Sequence, residues 1–248
     1  MGKVTELLGH RLPTGSYVRH NVSMAAAREH GPLPVFLLGL TVVTGLVDAF
    51  SYLTLGHVFV ANMTGNVVFL GFALAGVGEI SIVASLLAVL AFAVGATVAG
   101  RVAVRRPPHR GYLLAAAAAA QAALVWVAVV VASIAGVRDA AARLTLVGLL
   151  AAALGGQNAV VRRLAVPDLT TTVLTLTVAG LVADRTSGSV RGRRLASIVA
   201  MLAGAFLGGV LLHSVAETAP LWLAGALLTA CAAGVYGMTR RPTAHAWR

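Results

Sequence analysis

Cysteine, lysine and acidic residues are nearly missing from this chain, and each shortage closes off a class of protein. Cys231 is the sole cysteine, so no intrachain disulfide can form, and inside an apolar stretch it reads as a small hydrophobe. Lys3 is the only lysine, which leaves the positive charge to arginine. Charged residues make up 11% of the 248 positions, against about 25% in soluble domains, while 58% are hydrophobic and the mean hydropathy is +0.88. A polytopic membrane protein is the class that fits, with the lipid bilayer as its first partner.

Motifs are sparse too. No glycine-rich phosphate loop followed by Lys and Ser or Thr occurs, so ATP-driven transport would need another chain. Neither a Gly-x-Ser-x-Gly elbow nor a His-Glu-x-x-His helix is present. His57, His109 and His213 are scattered without metal-ligand spacing, and neither a cofactor nor a metal is implied.

The formal net charge of +11 raises nucleic acid as a partner. The arginines, however, lie between apolar segments with no interleaved stacking aromatics, so nucleic acid is not expected. They mark the cytoplasmic side of a membrane protein, where they also meet anionic lipid.

Residues 1–32 are mixed polar sequence with Arg11, Arg19 and Arg28 and lack a signal-peptide core, which makes them a cytoplasmic N-terminal tail. A membrane domain is expected over 33–240, and 241–248 form a cytoplasmic C-terminal tail of a multi-pass inner (plasma) membrane protein. Apolar segments fall near 33–55, 58–77, 80–102, 111–136, 141–162, 167–183, 193–213 and 219–239. A crossing needs about 20 residues, so length alone permits all eight.

Charge argues for fewer. With the N-terminus inside, eight crossings would strand Arg101, Arg105, Arg106 and Arg110 outside and leave the loop at Glu79 inside without a basic residue. If the second and sixth segments instead enter and return to the same side, those arginines fall inside, as do Arg162, Arg163, the Arg185 to Arg194 group and the C-terminal arginines. Only Arg138 and Arg143, partly offset by Asp139, then stay outside. The expected fold class is therefore all-α, a transmembrane bundle of about six crossings plus two broken or re-entrant segments.

Those two segments are also the richest in polar side chains. Asn62, Thr64 and Asn66 lie in one, and Asp168, Thr170, Thr171, Thr172, Thr175 and Thr177 in the other. Irregular backbone at membrane depth survives only where protein or cavity water satisfies it. A shift of 109 or 110 positions aligns Gly45 with Gly155, Asp48 with Asn158, Gly71 with Gly180, Gly95 with Gly204 and Gly100 with Gly209. Two halves, about 33–140 and 141–240, would each hold an odd number of crossings and so insert in opposite directions. Such inverted repeats place a binding site at the midplane, where broken helices meet.

Candidate substrate-binding residues follow: Asp48, Asn62, Thr64, Asn66, Gln157, Asn158, Thr171, Thr172 and Thr175. Asp48 lies well inside an apolar segment and would serve a proton- or cation-coupled site, or pair with His57 or an arginine as a fixed link. Single threonines often bond back to their own helix instead, and Gln157 and Asn158 could equally hold helices together. Small residues four apart, Gly95 with Ala99, Ala96 with Gly100 and Gly204 with Gly208, suit close internal packing or the face of a homo-oligomer.

The run Gly45-Leu46-Val47-Asp48-Ala49-Phe50, then Gly56-His57-Val58-Phe59-Val60-Ala61-Asn62-Met63-Thr64-Gly65-Asn66, resembles the bacterial YoaK family, also called the DUF1275 membrane proteins. Gln157-Asn158-Ala159, Arg162-Arg163-Leu164 and Thr171-Thr172-Val173-Leu174-Thr175 are similar to that family's second signature. The likeness runs over roughly residues 33–240. It implies an integral membrane protein with about six helices. It supplies no substrate, cofactor or catalytic role.

Three functions remain open on the sequence. The first is a small secondary transporter or channel-like protein with a midplane site for a small polar or ionic solute. The second is an intramembrane enzyme using Asp48 and His57 as acid and base on a lipid-like substrate. The third is a non-catalytic membrane partner subunit.

Overall fold

The computed structural model describes residues 32–78, 80–105, 109–165, 174–183 and 188–240, and all regular structure among them is helical. Eight helices follow one another, one for each apolar segment. They are α1 (Leu33–Thr54), α2 (Met63–Leu74), α3 (Ile82–Arg105), α4 (Arg110–Ala135), α5 (Ala140–Leu164), α6 (Leu174–Ala183), α7 (Gly188–Ser214) and α8 (Ala219–Thr239). Six are long and apolar enough to cross a membrane. The 12 residues of α2 rise only about 18 Å, short of a hydrocarbon core of roughly 30 Å, and α6 is shorter still at 10 residues.

Local chemistry sets the ends. The Asp139 carboxylate accepts a hydrogen bond from the Ala142 amide at 2.8 Å and starts α5. Gly136, with φ 76°, closes α4 in a conformation that side chains avoid. Pro34 and Pro220 occupy first turns of α1 and α8, where a missing N–H costs nothing.

Burial separates inner from outer helices. Of the apolar window of each span, 61% is buried in α1 and 56% in α5, against 17% in both α3 and α7. Large apolar side chains such as Val94, Val98, Leu202 and Phe206 therefore point outward, as a lipid-facing surface requires. The core runs along α1, α4, α5 and α8 through Leu37, Leu40, Phe50, Leu114, Val125, Leu146, Leu150 and Leu228.

Each inner helix meets an outer one backbone to backbone: α1 packs on α7, and α5 on α3. A methyl group on Gly45 would strike the Met201 carbonyl oxygen, and one on Gly204 the Val42 carbonyl. Likewise, Gly155 lies against the Phe92 carbonyl and Gly95 against that of Ala152. Positions 45 and 155 are 110 apart and 92 and 201 are 109 apart, as are 95 and 204, so the four approaches form two matching sets. The remaining packing matches too, with α4 on α5 and α8 on α1, and α2 on α3 and α6 on α7. Glycine at these points lets helices approach as small-residue motifs in membranes do.

Loops collect at two ends of the bundle. At one, Arg138 pairs with Glu217 at 3.1 Å, and the Arg143 guanidinium lies beside Gly56. At the other, Arg110 donates to the Leu164 carbonyl at 2.9 Å, closing the end of α5, and Arg240 sits 5.1 Å from the centre of the Tyr236 ring.

Candidate functional site

One face of α1 presents Gly45, Asp48, Ala49 and Tyr52, spaced three and four residues apart, to a cavity of about 810 Å³. The other walls come from Asn62 and Thr64 at the start of α2, Phe69 within it, and, farther along the chain, Phe92 of α3, Asn158 of α5, Thr175 of α6, and Met201 with Ala205 of α7. Asp48, Asn62, Thr64, Asn158 and Thr175 are thus brought together around one space, although up to 127 positions separate them.

The non-helical stretch between α1 and α2 is held by side chains instead of a ladder of backbone bonds. Asp48 Oδ1 accepts from the Val60 amide at 3.1 Å and the Ala61 amide at 2.9 Å. Asn66 engages both backbone groups of Phe59, its Oδ1 accepting from the amide at 2.9 Å and its Nδ2 donating to the carbonyl at 2.6 Å. Asn62 caps α2 by accepting from the Gly65 amide at 3.4 Å. Backbone that leaves the helix inside an apolar bundle must find such partners, because unsatisfied amides in hydrocarbon cost several kcal/mol each, to order of magnitude (~).

Asp48 is 6% exposed, and among the described residues its second carboxylate oxygen, Oδ2, accepts no hydrogen bond. Asp48 therefore anchors the loop with one oxygen and lines the cavity beside it. Among the described residues Asp48 has no fixed link to His57 or to an arginine: His57 sits at an exposed turn with φ 58°, edge-on to the Tyr52 ring, and does not line the cavity. An Asp48–His57 acid–base pair is not assembled in this arrangement.

Two candidates face elsewhere. Asn66 is fully buried and spends its amide on Phe59. Gln157 Nε2 donates to Thr44 Oγ1 at 3.1 Å, joining α5 to α1, while its buried Oε1 has no partner among the described residues. Thr41, Thr44 and Thr54 of α1 bond back to the carbonyls of Leu37, Leu40 and Phe50. Thr64 and Thr175 are exposed to the cavity, and Thr177 is buried. Asp168, Thr170, Thr171 and Thr172 lie outside the described residues. No group of three His, Cys, Asp or Glu side chains converges among the described residues.

Aromatic side chains complete the wall and escaped the sequence reading. Tyr52 and Phe59 stack with centres 4.8 Å apart and planes 20° apart, and Phe59 and Phe69 follow at 5.8 Å and 18°. The signal for Tyr52 was its spacing of four from Asp48, which places both on one helical face.

Six apolar spans, two short helices and a loop secured by buried polar side chains define a polytopic helical membrane protein. The family model for the protein of unknown function DUF1275 matches residues 36–234, and the chain belongs to that family. It is similar to the UPF0700 transmembrane protein YoaK of Bacillus subtilis (strain 168), with 33% identity over 149 residues. That stretch covers 60% of this chain and 65% of the relative, so the chain spans less than two thirds of the relative's length. No solved structure matches.

Proposed function

We propose that this protein is a small secondary carrier or channel-like protein, in which two oppositely oriented halves, about 33–140 and 141–240, enclose a site for a small polar or ionic solute. The observation that carries the reading is the cavity itself: both halves build it, and it gathers Asp48, Asn62, Thr64, Asn158 and Thr175 in an otherwise apolar bundle. Polar groups placed so are expensive in a membrane unless they serve a pathway. The paired glycine contacts and two short helices support the inverted plan, which puts the site near the midplane.

The grouping of loops supports a single orientation. Arg110, Arg162, Arg163 and Arg240 gather toward one end, which we assign to the cytoplasm of the inner (plasma) membrane together with both terminal tails, and there they meet anionic lipid. The outward apolar faces of α3 and α7 leave room for a homo-oligomer.

Uptake into vesicles reconstituted with the full chain tests the reading, with a panel of labelled ions, amines, amino acids and sugars. At least one solute should enter faster than into protein-free vesicles, and Asp48→Asn and Asn158→Ala should each cut its rate about tenfold or more, the loss expected of a hydrogen bond to a charged or buried group. Uptake that ignores both substitutions, or no uptake across the panel, defeats it.

A further inference from the structure

We infer that the cavity binds an organic ammonium ion, its positive nitrogen at Asp48 and its apolar body against the rings of Tyr52, Phe59, Phe69 and Phe92. The inference rests on the solute-site reading above and names the class of solute.

Charge points this way first. Among the described residues that line the cavity, Asp48 is the one carboxylate, and none is Arg, Lys or His. Its Oδ1 is held by the Val60 and Ala61 amides, whereas Oδ2 accepts nothing among the described residues. An anion would meet that carboxylate with no cation to balance it. Ahead of α2 the Val60 and Ala61 amides are already bound to Asp48, and in its first turn the Gly65 amide faces the Asn62 side chain.

Shape and surface point the same way. No group of three His, Cys, Asp or Glu side chains that would hold a divalent metal ion converges among the described residues. A volume of about 810 Å³ suits a multi-atom solute. The rings of Tyr52, Phe59 and Phe69 form an aromatic cluster in the lining, Phe59 stacked with each of the other two and Tyr52 tilted 37° to Phe69. A carboxylate beside aromatic rings is the pairing that recognises substituted ammonium ions, through Coulomb attraction and the negative ring faces. Asn158, across the cavity, supplies a neutral polar contact.

Equilibrium dialysis of labelled benzyltrimethylammonium against the purified full chain in detergent at neutral pH is the test, with phenylacetate as the anion of similar size. Saturable binding is expected, weakened about tenfold by Asp48→Asn and about threefold or more by Phe59→Leu, with no displacement by phenylacetate. Asparagine keeps the Oδ1 acceptor for Val60 and Ala61, and the Phe59 backbone stays clasped by Asn66, so both variants retain the loop. Should Asp48→Asn fail to fold, Phe59→Leu and the phenylacetate competition decide. No saturable binding, binding indifferent to the substitutions, or equal displacement by phenylacetate overturns the inference. Binding without flux of the same probe into vesicles supports the ammonium site and removes the carrier reading; flux of neutral or anionic solutes that depends on Asn158, without ammonium binding, does the reverse.

Discussion

α1 and α5 occupy corresponding places yet carry different chemistry. Both lie inside the bundle, and each crosses an outer helix with glycine in the contact, Gly45 on Met201 and Gly155 on Phe92. Where α1 places Asp48, α5 places Asn158, 110 positions later. Both line the cavity, but only α1 brings a carboxylate, with Tyr52 opening a run of aromatic rings that Phe59 of the loop and Phe69 of α2 continue. The glycine contacts of α1 and α5 match, while the charge and the aromatic surface lie mainly with α1 and the loop and helix that follow it.

The sharpest way to break this comparison is to add a methyl group at matched glycines. Gly45→Ala and Gly155→Ala each force backbone apart, so each should destabilise the detergent-solubilised protein by about 3 kcal/mol, at the upper end of typical overpacking costs. Gly39→Ala and Gly100→Ala, with nothing within 4 Å, serve as controls and should stay within about 0.5 kcal/mol. Chemical unfolding of the four variants measures this; one harmless and one damaging member of the Gly45 and Gly155 pair would separate the halves.

A smaller effect sharpens the contrast between the short helices. Asn66→Ala leaves the amide and carbonyl of Phe59 unpaired, and should cost about 2 kcal/mol in the same unfolding experiment. Thr175, 109 positions later, is exposed, so Thr175→Ala should change stability by less than about 0.5 kcal/mol. Equal losses would show that α6 is anchored as α2 is.

The smallest effect concerns the hydrogen bond that joins α1 and α5 directly. Gln157→Met removes the bond to Thr44 but also the unpartnered Oε1, so the two changes nearly cancel. A shift in the unfolding midpoint equivalent to less than about 1 kcal/mol is expected, in line with the modest worth of hydrogen bonds between membrane helices. A larger loss would give Gln157 a greater share in joining the two inner helices than its geometry suggests.

Much of this architecture was legible in the letters. Hydropathy marked a segment for each of the eight helices, because a membrane demands long apolar runs, although the starts of α2, α6 and α7 fall at Met63, Leu174 and Gly188 and not at 58, 167 and 193. The shortness of α2 and α6 was readable from where the arginines would otherwise fall, a global constraint that no local pattern carries. Asp48, Asn62, Thr64, Asn158 and Thr175 stood out because polar side chains are rare there, and the fold does bring them to one cavity. Asn66 and Gln157 stood out for the same reason, yet one secures Phe59 and the other reaches Thr44. Sequence registers that a polar group is present and says little about which partner satisfies it. The aromatic wall was hidden for the opposite reason: Phe59, Phe69 and Phe92 look like any other residues bound for lipid until their neighbours are known.

The carboxyl of Asp48 has one prong moored to the backbone ahead of α2 and the other without a hydrogen bond among the described residues. Any occupant that draws on the free prong pulls on the same rigid fork that secures Val60 and Ala61. A filled chamber and an empty one must therefore differ in the tension on that strand as well as in their contents, and the loop becomes the natural place to attach a reporter of occupancy.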